Sequence, residues 1–208
     1  GATGHVAIRG KGQTLKVTVT GLDEGRAHRT ALLAYGRAGD LEASRKHAEL
    51  AVMLLEAHGR LGEAAGTLND LATMLTQGGD HHGAIEFIER SLAHARRSGS
   101  MHALSFGLGS MGLIHLRCDQ LDKGITALEE AVAMSADTRL NRLINAALVF
   151  PFAALGRWRD LDVAIDGARG VSTTFGEDDV PDFLRRGAEL ARRAGQIQRA
   201  ERADAVLE

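Results

Sequence analysis

Apolar residues recur along most of this chain at the three- and four-residue spacing of amphipathic helices. Two consecutive rows illustrate the pattern: Leu68, Leu71, Ala72 and Leu75, then Ala84, Ile88 and Leu92. Short segments rich in glycine and aspartate separate such rows, and residues of these types end one helix before the next begins. The pattern predicts antiparallel pairs of helices, or αα-hairpins.

The separating segment itself repeats. It begins at Gly39, Gly79, Asp119, Gly156 and Gly195, at intervals of 40, 40, 37 and 39 residues. A period of this length indicates a stacked array, because one helical pair is too small to bury its own apolar face. We therefore predict an all-α fold, an αα-hairpin solenoid of about five repeats over residues 23–208. We also predict that the turn glycines adopt positive φ.

Small residues stand near the helix centres, where two backbones approach closely; examples are Ala72, Ala84, Gly112 and Gly124. With the sequence Gly-x-apolar-x-x-Ala after the turns, this pattern resembles the tetratricopeptide repeat (TPR) over residues 26–208. The period is longer than the ~34 residues of the standard unit, as in the long-repeat variants of kinesin light chain and bacterial regulatory proteins. The resemblance implies a superhelix with a concave groove. An αα-solenoid of other ancestry is the alternative.

Residues 1–22 do not follow the repeat. Apolar and polar residues alternate in Val6-x-Ile8 and in Leu15-x-Val17-x-Val19, on either side of a Gly-Lys-Gly sequence, which predicts a short β-hairpin. Because an isolated hairpin is marginal in water, this segment either packs on the first helices, pairs with another chain or is the end of a preceding domain. We assign 1–22 to this segment and 23–208 to the repeat domain, with its longest loop at 170–179.

Composition narrows the classes of partner. The formal net charge is -2, from 25 basic and 27 acidic residues, and such a balance creates no overall field for nucleic acid or anionic lipid. The chain has neither an apolar stretch long enough for a membrane span nor the layout of a signal peptide. A single cysteine, Cys118, is typical of a reducing compartment. We expect a cytoplasmic protein that binds neither nucleic acid nor membrane.

Two sequence features resemble cofactor- or metal-binding motifs, but neither has the context that such a site requires. Gly107-Leu-Gly109-Ser-Met-Gly112 has the spacing of a dinucleotide fingerprint, but it continues a helical pattern instead of following a strand. The nine histidines include no H-x-x-x-H or H-E-x-x-H pair of the kind that binds zinc on a helix. We expect no catalytic residues, no metal, no cofactor and no enzymatic activity.

In the TPR architecture, the first helix of each hairpin lines the groove, so its side chains outside the packing rows are the candidate contacts. These candidates are Arg29, Leu33, Asn69, Thr73, Gln77, Phe106, Ser110, Leu113, Arg117 and Phe150. Apolar, amide and guanidinium groups together suit an extended peptide or its carboxylate.

These observations support two functional hypotheses. The first is a non-enzymatic protein-interaction scaffold that binds a peptide or partner domain, within a larger bacterial regulatory or signalling protein and capable of forming a homodimer. The second is a domain that senses a ligand or signalling peptide and regulates an attached catalytic or DNA-binding domain.

Overall fold

The computed structural model describes residues 3–10, 13–20, 22–171 and 179–206, with side chains from residue 24 onward except Asp179. These residues form two strands and ten helices: β1 Thr3–Gly10, β2 Gln13–Thr20, α1 Leu22–Arg37, α2 Leu41–Ala57, α3 Leu61–Gln77, α4 His81–Ser98, α5 Met101–Arg117, α6 Leu121–Met134, α7 Thr138–Ala154, α8 Trp158–Ala168, α9 Asp179–Arg193 and α10 Ile197–Asp204. The end of the Gly-Lys-Gly sequence, residues 11–12, and residues 172–178 of the predicted loop lie outside the described residues.

Consecutive helices pair as antiparallel hairpins. Helix α1 packs on α2, α3 on α4, α7 on α8 and α9 on α10, which confirms the predicted all-α solenoid. The chain divides into two compact units, Gly1–Ile114 and His115–Glu208. This division differs from the predicted boundary between residues 1–22 and the repeat domain 23–208, which stays a prediction.

The repeat turns share one backbone geometry. The predicted glycines have positive φ, for example 80° at Gly39 and 86° at Gly79, and Asp119 adopts φ 55° at the equivalent position. The residue after each of them donates its backbone N–H to a carbonyl five positions earlier, as when Asp80 donates to Leu75 over 2.8 Å. This bond is the Schellman closure of a helix C-terminus, which requires the left-handed residue before it. The prediction from the turn glycines is confirmed.

In the first unit, α3 packs against both α2 and α4. Leu68 and Leu71 of α3 are completely buried there. Two buried hydroxyls join neighbouring helices: Ser44 donates to the carbonyl of Leu32 over 3.1 Å, and Ser91 donates to the carbonyl of Ala65 over 2.8 Å. Each satisfies a buried polar group while fixing the relative position of two helices.

In the second unit, α7 packs against α6, α8 and α9. Its partner helices contribute the buried side chains Leu128, Leu161, Ile165, Phe183 and Leu184. A Cβ at Gly187 of α9 would lie 2.7 Å from Cγ1 of Val149 on α7. The missing side chain therefore lets these two helices approach closely, which is the role expected of small residues at helix centres.

The two strands pair antiparallel, with Val6 opposite Val17 and Ile8 opposite Leu15, and their backbones lie against α1. The likeness to solved structures reported below supports the helical repeat and not this segment. The β-hairpin and its assignment to a preceding domain therefore stay predictions.

Candidate functional site

Ion pairs join the first helices of the first two hairpins. Arg26 of α1 contacts Glu63 of α3 over 2.8 and 3.2 Å, and Nε of Arg29 donates to Asp70 over 2.8 Å. Gly66 leaves room for this second pair, because a Cβ there would already lie 3.4 Å from Nη2 of Arg29. Burial raises the pKa of Asp70, and Arg29 acts against that shift. The Arg29 guanidinium is thus already engaged, and a partner carboxylate would compete with Asp70 for it.

Three of the candidate contacts on α1 and α3 are accessible. Leu33 is half-buried, whereas Thr73 and Gln77 are exposed. The hydroxyl of Thr73 donates to the backbone carbonyl of Asn69 over 3.0 Å. The helix thus presents a methyl group and an amide, one turn apart, to an incoming ligand.

Asn69 differs from these neighbours because it is only 4% exposed. Its side chain is therefore buried in this structure, and its assignment as a partner contact stays a prediction. Its side-chain Oδ1 has no hydrogen-bond partner among the described residues. A buried carbonyl oxygen without a donor costs free energy.

Helix α5 carries an exposed aromatic ring. Phe106 is 44% exposed and its ring centroid lies 6.2 Å from that of His102. Ser110 and Leu113 follow at spacings of four and three residues and are half-buried, so the three share one helix face. On the packed side, Leu108 is buried.

Two candidates lie in the second unit. Arg117 is half-buried at the end of α5. Phe150 is 5% exposed, its ring is stacked on Phe183 with centroids 5.8 Å apart, and the guanidinium carbon of Arg186 lies 3.8 Å from its centroid. The sequence placed Phe150 among the exposed partner contacts, whereas its ring is buried here because α9 approaches α7 closely. Its role in partner binding stays a prediction.

The arginines around Phe150 were not among the predicted site residues. Arg185, Arg186 and Arg193 line a shallow cleft of about 390 Å³ with Phe150 and Leu190. Glu189 accepts a hydrogen bond from Nε of Arg193 over 2.8 Å. The only signal in the sequence was the high density of arginine in α9, and this density is equally typical of an ordinary solvent-exposed helix face.

A histidine pair in the first unit was also missed. Nδ1 of His28 lies 2.7 Å from Nδ1 of His47, and the ring of Tyr35 stacks on His47 with centroids 5.3 Å apart. Burial lowers the pKa of both histidines. Residues 19 positions apart in sequence show no recognisable spacing, so only the packing of α1 on α2 reveals the pair.

The residues that resembled chemical motifs have structural roles. The Gly107–Gly112 sequence is helical throughout, and a Cβ at Gly107 would lie 2.9 Å from Cδ2 of Leu92. Close helix packing therefore explains that glycine. Within the described part of the chain, no cluster of three or more His, Cys, Asp or Glu side chains could hold a metal ion.

Comparison with known proteins identifies the fold. No protein-family model matches the chain, and no curated protein matches it either. Among solved structures, it is similar to aspartyl phosphate phosphatase F from Bacillus subtilis, with a TM-score of 0.70 and 13% identity over 91% of this chain and 61% of that one. It is also similar to the nearly identical TPR-like repeats of a candidate kinesin light chain from Podosopora anserina, with a TM-score of 0.64, 15% identity and coverages of 91% and 97%. The fold is of the TPR type.

A third TPR-type neighbour is BtubC (BKLC) from P. vanneervenii, with a TM-score of 0.53 and 14% identity over 90% of this chain and 91% of that one. At such identities the likeness shows the fold alone. The chain spans 61% of the length of the phosphatase structure. Among the described helices, none has both the length and the apolar character needed to cross a membrane.

Proposed function

We propose that this chain is a non-enzymatic protein-interaction module whose first helices in the first unit, α1, α3 and α5, bind an extended peptide or a partner domain. The exposed ring of Phe106 is the observation that carries the proposal. It is 44% exposed although the neighbouring Leu108 is buried. Aromatic side chains are enriched among the residues that dominate binding energy.

The other accessible side chains suit the same type of ligand. Leu113 extends the apolar row of Phe106, while Thr73 and Gln77 offer polar groups for a peptide backbone. Asn69 stays a candidate contact from the sequence, although it is only 4% exposed in this structure. Arg117 stays a candidate in the second unit.

We further propose that the module serves a larger bacterial regulatory or signalling protein in the cytoplasm. The likeness to a bacterial protein named as an aspartyl phosphate phosphatase supports this setting, as does the TPR-type fold it shares with a candidate kinesin light chain. A domain that senses a ligand or signalling peptide is the second candidate. Such a ligand would raise the melting temperature in a metabolite or peptide screen, because it binds only the folded state.

Selection from a random-peptide display library, followed by titration calorimetry with the selected peptide, tests the binding surface. Phe106→Ala should weaken binding by about tenfold or more, as expected for a central aromatic contact. Met53→Ala is the matched control, because Met53 is 56% exposed but belongs to α2. An equal loss in both variants, or no saturable binding of any peptide, would refute the proposal.

A further inference from the structure

Ion pairs join the second helices of neighbouring hairpins inside each unit. In the first unit, Glu49 of α2 accepts two hydrogen bonds from Arg90 of α4, over 2.7 and 2.9 Å. In the second unit, Asp166 of α8 accepts one from Arg202 of α10, over 2.9 Å. A carboxylate on one second helix is thus held by a guanidinium from the next.

Glu129 of α6 occupies the same repeat position as those two carboxylates, because each stands ten residues after its turn residue. In the next second helix, α8, neither of the two repeat positions that carry these arginines holds one. Gly167 stands at the repeat position of Arg90, and Val163 stands at that of Arg202. Glu129 is therefore the carboxylate of a repeated pair whose arginine is replaced.

A cleft of about 280 Å³ opens beside Glu129, between α6, α7 and α8. Its apolar lining consists of Val132, Ala133, Leu148, Phe152, Val163 and Ala164. Val163 is 70% exposed, so its side chain is accessible to a group that enters the cleft. This α6–α8 cleft offers apolar walls to a side chain that enters beside a carboxylate.

The charges at the edge of the α6–α8 cleft are not balanced. Glu129 and Asp160 contribute two carboxylates, and Arg157 is the guanidinium that contacts both. Nε of Arg157 lies 2.6 Å from Oδ2 of Asp160, whereas its Nη2 lies 3.5 Å from Oε1 of Glu129. The guanidinium carbon of Arg157 is 4.6 Å from the ring centroid of Phe152. Because 3.5 Å exceeds the length of a direct hydrogen bond, Glu129 keeps acceptor capacity toward the cleft.

We propose that the α6–α8 cleft binds an arginine side chain from a peptide segment of a partner protein. The guanidinium pairs with Glu129, as Arg90 pairs with Glu49, and the aliphatic stem lies along Val132 and Val163. Arginine fits better than lysine, because a planar guanidinium can bind a carboxylate through two parallel hydrogen bonds. This surface lies on α6 and α8, so its function does not depend on the proposed role of Phe106.

An NMR titration of the whole ¹⁵N-labelled chain tests this assignment. The probe is the peptide acetyl-Leu-Arg-Leu-amide, and the matched control replaces arginine with citrulline, which keeps the shape but removes the charge. We expect saturable shifts of the amides of Val132 and Val163 with the arginine peptide, and binding weaker by about fivefold or more with the citrulline peptide. Equal responses to both peptides, or no saturable response to the arginine peptide, would overturn the proposal.

Two variants sharpen the test. Val163→Arg restores the arginine of the repeated pair within the chain and should reduce binding of the probe by about fivefold or more. Glu129→Gln should do the same while keeping the side-chain volume, so it decides the outcome if Val163→Arg does not fold. Glu130→Gln is the control, because Glu130 is exposed on α6 outside the cleft. Equal effects of the substitutions at Glu129 and Glu130 would show that only overall charge matters.

Discussion

Substitution of Gly187 by alanine tests the close packing of α9 on α7. A Cβ at this position would lie 2.7 Å from Cγ1 of Val149 and 2.9 Å from its backbone carbonyl carbon and oxygen. Favourable contacts between heavy atoms lie near 3.5–4.0 Å, so the methyl group overlaps its neighbours by well over half an ångström. The valine side chain can rotate away, but the backbone of α7 can yield only if the helices separate.

Two effects of opposite sign determine the magnitude. Alanine in a helix interior is more favourable than glycine by about 1 kcal/mol. Overpacking of a core typically costs about 1–3 kcal/mol, and contact with a rigid backbone places this site near the upper end. We therefore expect a net loss of about 1–2 kcal/mol, equivalent to a decrease of about 2–8 °C in Tm for a domain of this size.

Urea unfolding followed by circular dichroism provides the measurement, with a lower midpoint at an unchanged slope expected for Gly187→Ala. Gly62→Ala is the matched control, because the atom nearest to a Cβ there is Oγ of Ser98 at 3.8 Å. That variant should be as stable as the parent or more stable by up to about 1 kcal/mol. If both variants gained stability equally, the inferred close approach of α7 and α9 would be incorrect.

Three further predictions concern titration, ion pairing and the core. Acidification below about pH 6.5 should lower the free energy of unfolding, because burial lowers the pKa of His28 and His47. The unfolded chain then binds protons that the folded chain does not. His47→Asn should flatten this pH dependence in urea titrations between pH 5 and 8. Glu49→Gln should cost at most about 1 kcal/mol because its pair with Arg90 is partly exposed. The hydrogen bond from Arg90 lowers the pKa of Glu49, so this difference should disappear as the pH falls through that lowered pKa. Phe150→Ala should cost about 3–5 kcal/mol in the same unfolding assay, whereas a surface anchor would lose peptide affinity at nearly unchanged stability.

The sequence was sufficient to predict the helical hairpins, because helix periodicity and turn chemistry are local properties. Gly39 and Gly79 mark turns by residue type, and their positive φ follows from it. Asp119 shows the limit of this signal, since an aspartate adopts the same conformation with φ 55°. The repeat period, more than the glycine itself, located that turn.

The candidate site was less predictable, because exposure depends on neighbouring helices. The position of Phe150 in the helical pattern of α7 does not show whether its ring is exposed. The ring is buried because α9 brings Phe183 against it. Arg29 looked available for a ligand, but its partner Asp70 lies 41 residues away in sequence. Pairings over such distances become visible only when α1 and α3 are placed side by side.

Binding of a peptide or partner is proposed for the first helices α1, α3 and α5. The most direct test is to map, on the ¹⁵N-labelled chain, which amide signals shift when a peptide selected from the display library is added. We expect saturable shifts around Leu33, Thr73 and Phe106, whose side chains are accessible on those helices. Shifts confined to the second helices α2 and α4 would contradict this proposal.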